Sequence, residues 1–65
     1  MENKFRENLM QIRAKKGISL QELENRTGIG ANRIWHYEKG THEPKVTNIL
    51  RLAEGLECGV EELLG

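Results

Sequence analysis

A chain of 65 residues allows one compact domain, and at this size only about 60% of the unfolded surface becomes buried, so the core must be minimal. The lone cysteine, Cys58, excludes an internal disulfide and fits a reducing compartment. No apolar run approaches the roughly 20 residues of a membrane span and the charged opening MENKFREN lacks a secretory signal, so a cytoplasmic location is expected.

Ten Lys and Arg balance ten Glu, but unevenly. Residues 1–51 hold every cation against six Glu, a net +4; residues 52–65 hold four Glu and no cation, a net −4. One part of the molecule can therefore present a positive field to a polyanion while the other repels it.

The apolar residues follow helical spacing almost throughout, without the alternation of a strand. Helix 1 is expected over about Asn3–Lys16, with Phe5, Leu9 and Ile12 as one apolar stripe. Gly17 ends it in the left-handed position that favours glycine. Ile18 then enters the core. Helix 2, about residues 20–27, opens on Ser19, with Glu22 completing an S-x-x-E capping box and Leu23 as its anchor. Gly28 supplies the positive φ of a sharp turn, and Ile29 plugs the corner behind it. Helix 3 runs from about Ala31 to Lys39, between Gly30 and Gly40. A loop, Thr41–Lys45, carries the only proline, Pro44. Helix 4 covers about Val46–Gly55, with Ile49, Leu52, Ala53 and Leu56 on one face. Helix 5, about Val60–Leu64, places Glu61 and Glu62 in its first turn, where the helix dipole favours them. Cys58 sits among apolar positions and reads as a small core residue. The result is an all-α domain of five short helices spanning residues 1–65.

At about 100° per residue, Ile34 of helix 3 points inward with Tyr37 and Glu38 beside it. Asn32, Trp35, His36 and Lys39 fan over the opposite side, with Ala31 at its start. That side is polar, lacks an acid and displays one large aromatic. Asn pairs with an adenine edge, His or Lys donates to guanine acceptors, and Ala31 or Trp35 meets a thymine methyl. Trp35 has two other readings: packing over the corner of helices 2 and 3, or an interface with another protein. Arg33 is placed to reach a phosphate or to pair with an acid on helix 2. The N-termini of helices 2 and 3 offer backbone N–H groups to phosphate, with Gln21 beside one of them. Lys39, Thr41, His42 and Lys45 bracket the following loop and can grip the same backbone. Arg13 and Glu38 border the stripes of helices 1 and 3 and are expected to form a partly buried ion pair that orients helix 3.

These residues together resemble one family, the lambda-repressor-like, Cro-type helix-turn-helix regulators of the xenobiotic-response-element class. The matching pieces are Phe5-x3-Leu9-x2-Ile12-Arg13, Lys16-Gly17-Ile18-Ser19, Glu22-Leu23, Gly28-Ile29, Ile34, Tyr37-Glu38-Lys39-Gly40, Pro44, Ile49-x2-Leu52-Ala53-x2-Leu56 and Val60-x-Glu62-Leu63-Leu64. The resemblance implies a five-helix domain, dimeric binding to operator DNA and helix 3 as the reading helix. Its base-reading positions map to Ala31, Asn32, Trp35 and His36. Three positions depart from the pattern: Leu20 where Gln is common, Glu24 where Ala is preferred, and Thr27 where an apolar residue is usual. A glutamate at position 24 must turn to solvent, pair with a base such as Arg33, or open the helix crossing.

The expected function is therefore sequence-specific DNA binding by a transcriptional regulator, a repressor, acting as a homodimer on half-sites about 34 Å apart. Leu50, off the core face of helix 4, and Leu64, at the end of helix 5, are the candidate dimer patch. Control is expected from a regulatory protein partner, from concentration or from competition for operators. The alternative is a protein-interaction module of the antitoxin or anti-repressor type, docking through Trp35 and helix 3. An enzyme is not expected. His36, His42 and Cys58 lack metal-ligand spacing, and there is neither a glycine-rich phosphate loop nor a carboxylate pair in a cleft. No cofactor is expected.

Overall fold

The structure, a computed structural model, describes residues 4–65. Five helices follow in chain order: α1 (Phe5–Lys15), α2 (Leu20–Thr27), α3 (Ala31–Lys39), α4 (Val46–Leu56) and α5 (Val60–Leu64), with no strand among the described residues. Asn3, expected to begin the first helix, lies outside the described residues. The domain measures 30 × 21 × 20 Å.

The apolar stripes meet in a single core. Phe5, Leu9, Ile18, Leu23, Ile29, Ile34, Tyr37, Leu52, Ala53, Leu56 and Leu63 are buried. Ile12, Leu20, Ile49, Cys58 and Val60 close its edges. α3 packs on α1 and α2, α4 on α2 and α5, and α5 on α1. Each helix is too short to be stable in water alone, so these buried faces hold it.

Two helix ends and one cap differ from expectation, α1 stopping at Lys15 rather than Lys16. α4 runs through Gly55 to Leu56 and is stopped by Glu57, at φ +56. Gly55 is buried inside the helix because α2 crosses it closely; a Cβ there would lie 2.5 Å from Thr27 Cγ2. At α2 the capping box is half made. Ser19 Oγ accepts from the Glu22 backbone N–H at 3.0 Å, while the Glu22 carboxylate pairs with Arg26 at 3.2 Å. The reciprocal contact appears instead at α5, where the Gly59 N–H donates to Glu62 Oε2 at 2.9 Å.

α1 is tied to both α5 and α3. Asn8 Nδ2 donates to the Leu63 carbonyl at 2.9 Å, and the Phe5 ring meets Tyr37 edge-on at 6.3 Å. Tyr37 Oη in turn accepts from Asn48 Nδ2 at 2.9 Å, which joins α3 to α4.

Candidate nucleic-acid interface

The exposed side of α3 is held from four directions. At its start, Gly28 takes φ +80 and turns the chain between α2 and α3. Thr27 Oγ1 fastens this turn: it donates to the Leu23 carbonyl at 2.7 Å and accepts from the Ile29 N–H at 3.1 Å. Thr27, off the family pattern, thus supplies the turn with hydrogen bonds that an apolar residue cannot make. Glu24 does the same for the next helix. Gly30 has no side chain to cap α3, and Glu24 Oε1 accepts from the Ala31 N–H at 2.7 Å instead. The carboxylate therefore neither splays to solvent nor pairs with Arg33; it sits at the positive end of the α3 dipole.

Arg13 orients the other half of α3. Its guanidinium grips Glu38 with a fork, Nε to Oε2 at 2.6 Å and Nη2 to Oε1 at 3.0 Å, and Nη1 reaches the Ile18 carbonyl at 2.9 Å. The Glu38 side chain is only 5% exposed. The bond to Glu38 raises the Arg13 pKa against the opposing effect of burial. At the C-terminus of α3, Gly40 at φ +80 ends the helix and Arg6 Nη1 donates to the Lys39 carbonyl at 3.3 Å.

On this frame Asn32, Arg33, Trp35 and Lys39 are exposed, with Ala31 and His36 half-buried. Trp35 is 42% exposed, and Leu20, Ala31, Asn32 and Trp35 line a shallow cleft between the starts of α2 and α3. Lys39 Nζ stands 5.6 Å above the Trp35 ring, a cation–π contact. Leu20, where a glutamine is common, makes this cleft apolar. Arg33 and Lys45 have no ion-pair partner among the described residues. Gln21 Nε2 rests on Asn25 Oδ1 at 3.3 Å.

At the helix starts offered to phosphate, Ser19 Oγ takes the Glu22 N–H of α2 and the Glu24 carboxylate takes the Ala31 N–H of α3, one of the several unpaired N–H groups at each end. The Thr41 hydroxyl, expected on a phosphate, lies 2.7 Å from His36 Nδ1. His42 is more involved than sequence alone suggests. It stacks on His36 at 4.5 Å and 12°, while the Trp35 ring meets His36 edge-on at 5.0 Å. A ring stack across a helix C-cap has no spacing signature.

Residues 9–63 match the model of the helix-turn-helix family. The chain belongs to this helix-turn-helix family, of the lambda-repressor-like class. The helix-turn-helix itself is α2 and α3 with the Gly28 turn between them. Among curated relatives, the cryptic phage CTXphi transcriptional repressor RstR of Vibrio cholerae is 30% identical over 60 residues, 92% of this chain and 54% of that protein. The chain thus spans about half the length of that relative. Among solved structures, the restriction-modification controller protein C.AhdI of Aeromonas hydrophila superposes with a TM-score of 0.89 at 32% identity, covering 92% of this chain and 91% of that one. The P22 c2 repressor, solved with a synthetic operator, gives 0.84 at 28% identity with the same coverage.

Away from the helix-turn-helix, Val46, Leu50 and Leu64 are exposed apolar residues. Cys58 is half-buried, and burial, helped by the Glu62 carboxylate, pushes its thiol pKa up, which disfavours the thiolate. Among the described residues no three His, Cys or Glu gather to hold a metal.

Proposed function

We propose that the chain is a sequence-specific DNA-binding transcriptional regulator of the repressor type, which lays α3 in the major groove of an operator. The observation that carries this reading is the acid-free, polar side of α3, rigidly presented by the Arg13–Glu38 fork and the Glu24 cap. Ala31, Asn32, Trp35 and His36 meet base edges: Asn32 suits adenine, His36 an acceptor, and Ala31 or Trp35 a thymine methyl. Gln21, Arg33, Lys39 and Lys45 take the phosphates. Arg33 and Lys45 do so without breaking an ion pair, and Gln21 gives up only the long bond to Asn25. That relatives are a transcriptional repressor and a repressor solved with a synthetic operator supports the reading.

The single domain pairs with a second copy through Leu50 and Leu64, in the cytoplasm, placing two α3 helices on half-sites about 34 Å apart. In this reading the chain catalyses no reaction. Its test is a salt titration of binding to duplex DNA from its own promoter region. With Arg33, Lys39 and Lys45 engaged in both copies, the logarithm of affinity falls with the logarithm of salt at a slope of about −5. Flat salt dependence, or no binding at micromolar protein, refutes it. The apolar cleft beside Trp35 favours a second reading, a protein-docking module of the antitoxin or anti-repressor type; that module predicts the flat result.

A further inference from the structure

We infer that Thr41 is a positioning residue for His36, whose hydroxyl fixes the imidazole in the Nε2–H tautomer so that the ring offers a hydrogen-bond donor to the base it meets. The inference rests on α3 being the reading helix and adds which atom of His36 reads and what sets it.

The Thr41 hydroxyl has one proton and two nearby acceptors, His36 Nδ1 at 2.7 Å and the His36 carbonyl at 3.3 Å. The carbonyl already accepts the Gly40 and Thr41 backbone N–H groups, the latter at 3.1 Å, so both its lone pairs are in use. Nδ1 is nearer and otherwise unpartnered. A separation of 2.7 Å is typical of a hydroxyl donor and short for an N–H donor. The proton therefore goes from Thr41 to Nδ1, and in a neutral ring the remaining proton sits on Nε2.

The ring is also held against turning over. His42 covers one face at 4.5 Å, and Trp35 meets the ring edge-on at 5.0 Å. A 180° flip would set a carbon against the Thr41 hydroxyl. Thr41 itself is anchored by its backbone bond to the His36 carbonyl, one residue beyond the turn that Gly40 makes at φ +80. His36 Nε2 has no partner among the described residues and is open to solvent. A neutral Nε2–H matches the acceptors of the major groove: purine N7, guanine O6 or thymine O4. Cytosine, which shows only its N4 amine there, is rejected.

Imidazole nitrogen–proton correlation spectra of the full chain without DNA, at about pH 8 where an ordinary imidazole is neutral, test the tautomer directly. The proton is expected on His36 Nε2 in the parent and in Thr41→Ser, with a mixture of tautomers in Thr41→Val. A parent with its proton on Nδ1 overturns the inference. Selection from a randomised duplex pool then tests the readout, using the position that His36→Ala blurs. The parent and Thr41→Ser should prefer an acceptor base over cytosine by about two- to tenfold, one hydrogen bond's worth, and Thr41→Val should lose that preference while still enriching the rest of the site. Equal tolerance of cytosine by the parent, or a Thr41→Val that keeps the preference, also overturns it. If no duplex is enriched at all, the DNA reading falls and this inference with it; the nitrogen spectra still report whether Thr41 sets the ring.

Discussion

Replacing Arg13 with Ala strands a carboxylate. Glu38 would lose both arms of the fork, at 2.6 and 3.0 Å, in a place where its side chain is only 5% exposed. Removing one partner of a buried pair costs about 3–5 kcal/mol. Arg13 is itself 18% exposed, so water can enter the vacated space and the loss falls to about 2–3 kcal/mol. A domain of this size has roughly 3–10 kcal/mol in all, so the variant gives up a large share of it. Removing both charges together, as Arg13→Met with Glu38→Leu, leaves no uncompensated ion and costs about 1 kcal/mol, mainly the lost bond to the Ile18 carbonyl. Urea unfolding followed by far-ultraviolet circular dichroism measures the four corners of this cycle, the parent, Arg13→Met, Glu38→Leu and the double, in which Arg13→Met strands the carboxylate as Arg13→Ala does. The two single changes should exceed the double by about 2 kcal/mol or more. Single losses below about 1 kcal/mol, or a double equal to their sum, refute the argument that the fork is a coupled, desolvated unit. The double variant stays folded but loosens α3, so weaker operator binding is expected of it; unchanged binding refutes the orienting role.

Four other outcomes follow from local geometry. Glu24→Ala removes the acceptor of the Ala31 N–H and should cost about 1 kcal/mol in chemical unfolding, as loss of an N-cap does. Gly55→Ala should lower the melting temperature by several degrees, because the Cβ meets Thr27 Cγ2 at 2.5 Å and the overpacking, about 1–3 kcal/mol, outweighs the helix-propensity gain of about 1 kcal/mol; in a Thr27→Ser background, which lacks that methyl, the same change should raise it. Glu57→Gly relieves a left-handed residue at φ +56 and should add about 0.5–1 kcal/mol in the same melts. The folded state holds the Cys58 proton more tightly than the unfolded chain does. Its contribution to stability is therefore complete below the ordinary thiol pKa of about 8.5 and is lost as pH rises from there through the raised folded-state value; urea midpoints measured above that pH should fall more steeply for the parent than for Cys58→Ser.

The parts of this domain that are legible in sequence are those whose cause lies within a few residues. Ser19 before Leu23, and glycines at 28 and 40, mark α2 and α3 because capping oxygens and easy positive φ are properties of the residue type. Phe5, Leu9, Ile34 and Leu52 fall on their core faces because the helical period dictates it. Gly55 misleads as an end signal because its real reason, the approach of Thr27 from another helix, is 28 positions away. Glu24 is illegible for a related reason. Its partner is a backbone N–H across a turn, and backbone donors leave no trace in the residue letters. The reading face is half legible: the helical wheel exposes Asn32, Trp35 and His36, but it cannot show that Thr41 and His42 fold back onto His36 once Gly40 has reversed the chain.

The bond from Asn8 to the Leu63 carbonyl gives the molecule a property that none of its helices has alone. α1 leans on α5 through that bond and on α3 through Arg13 and Phe5. No half of the domain can therefore be cut away as a self-sufficient unit, and the reading helix cannot be excised as a working peptide. α1 is fully seated only when α5 has packed against it. The brace on the reading helix is thus only as firm as the seat of α1, which α5 completes from the far side.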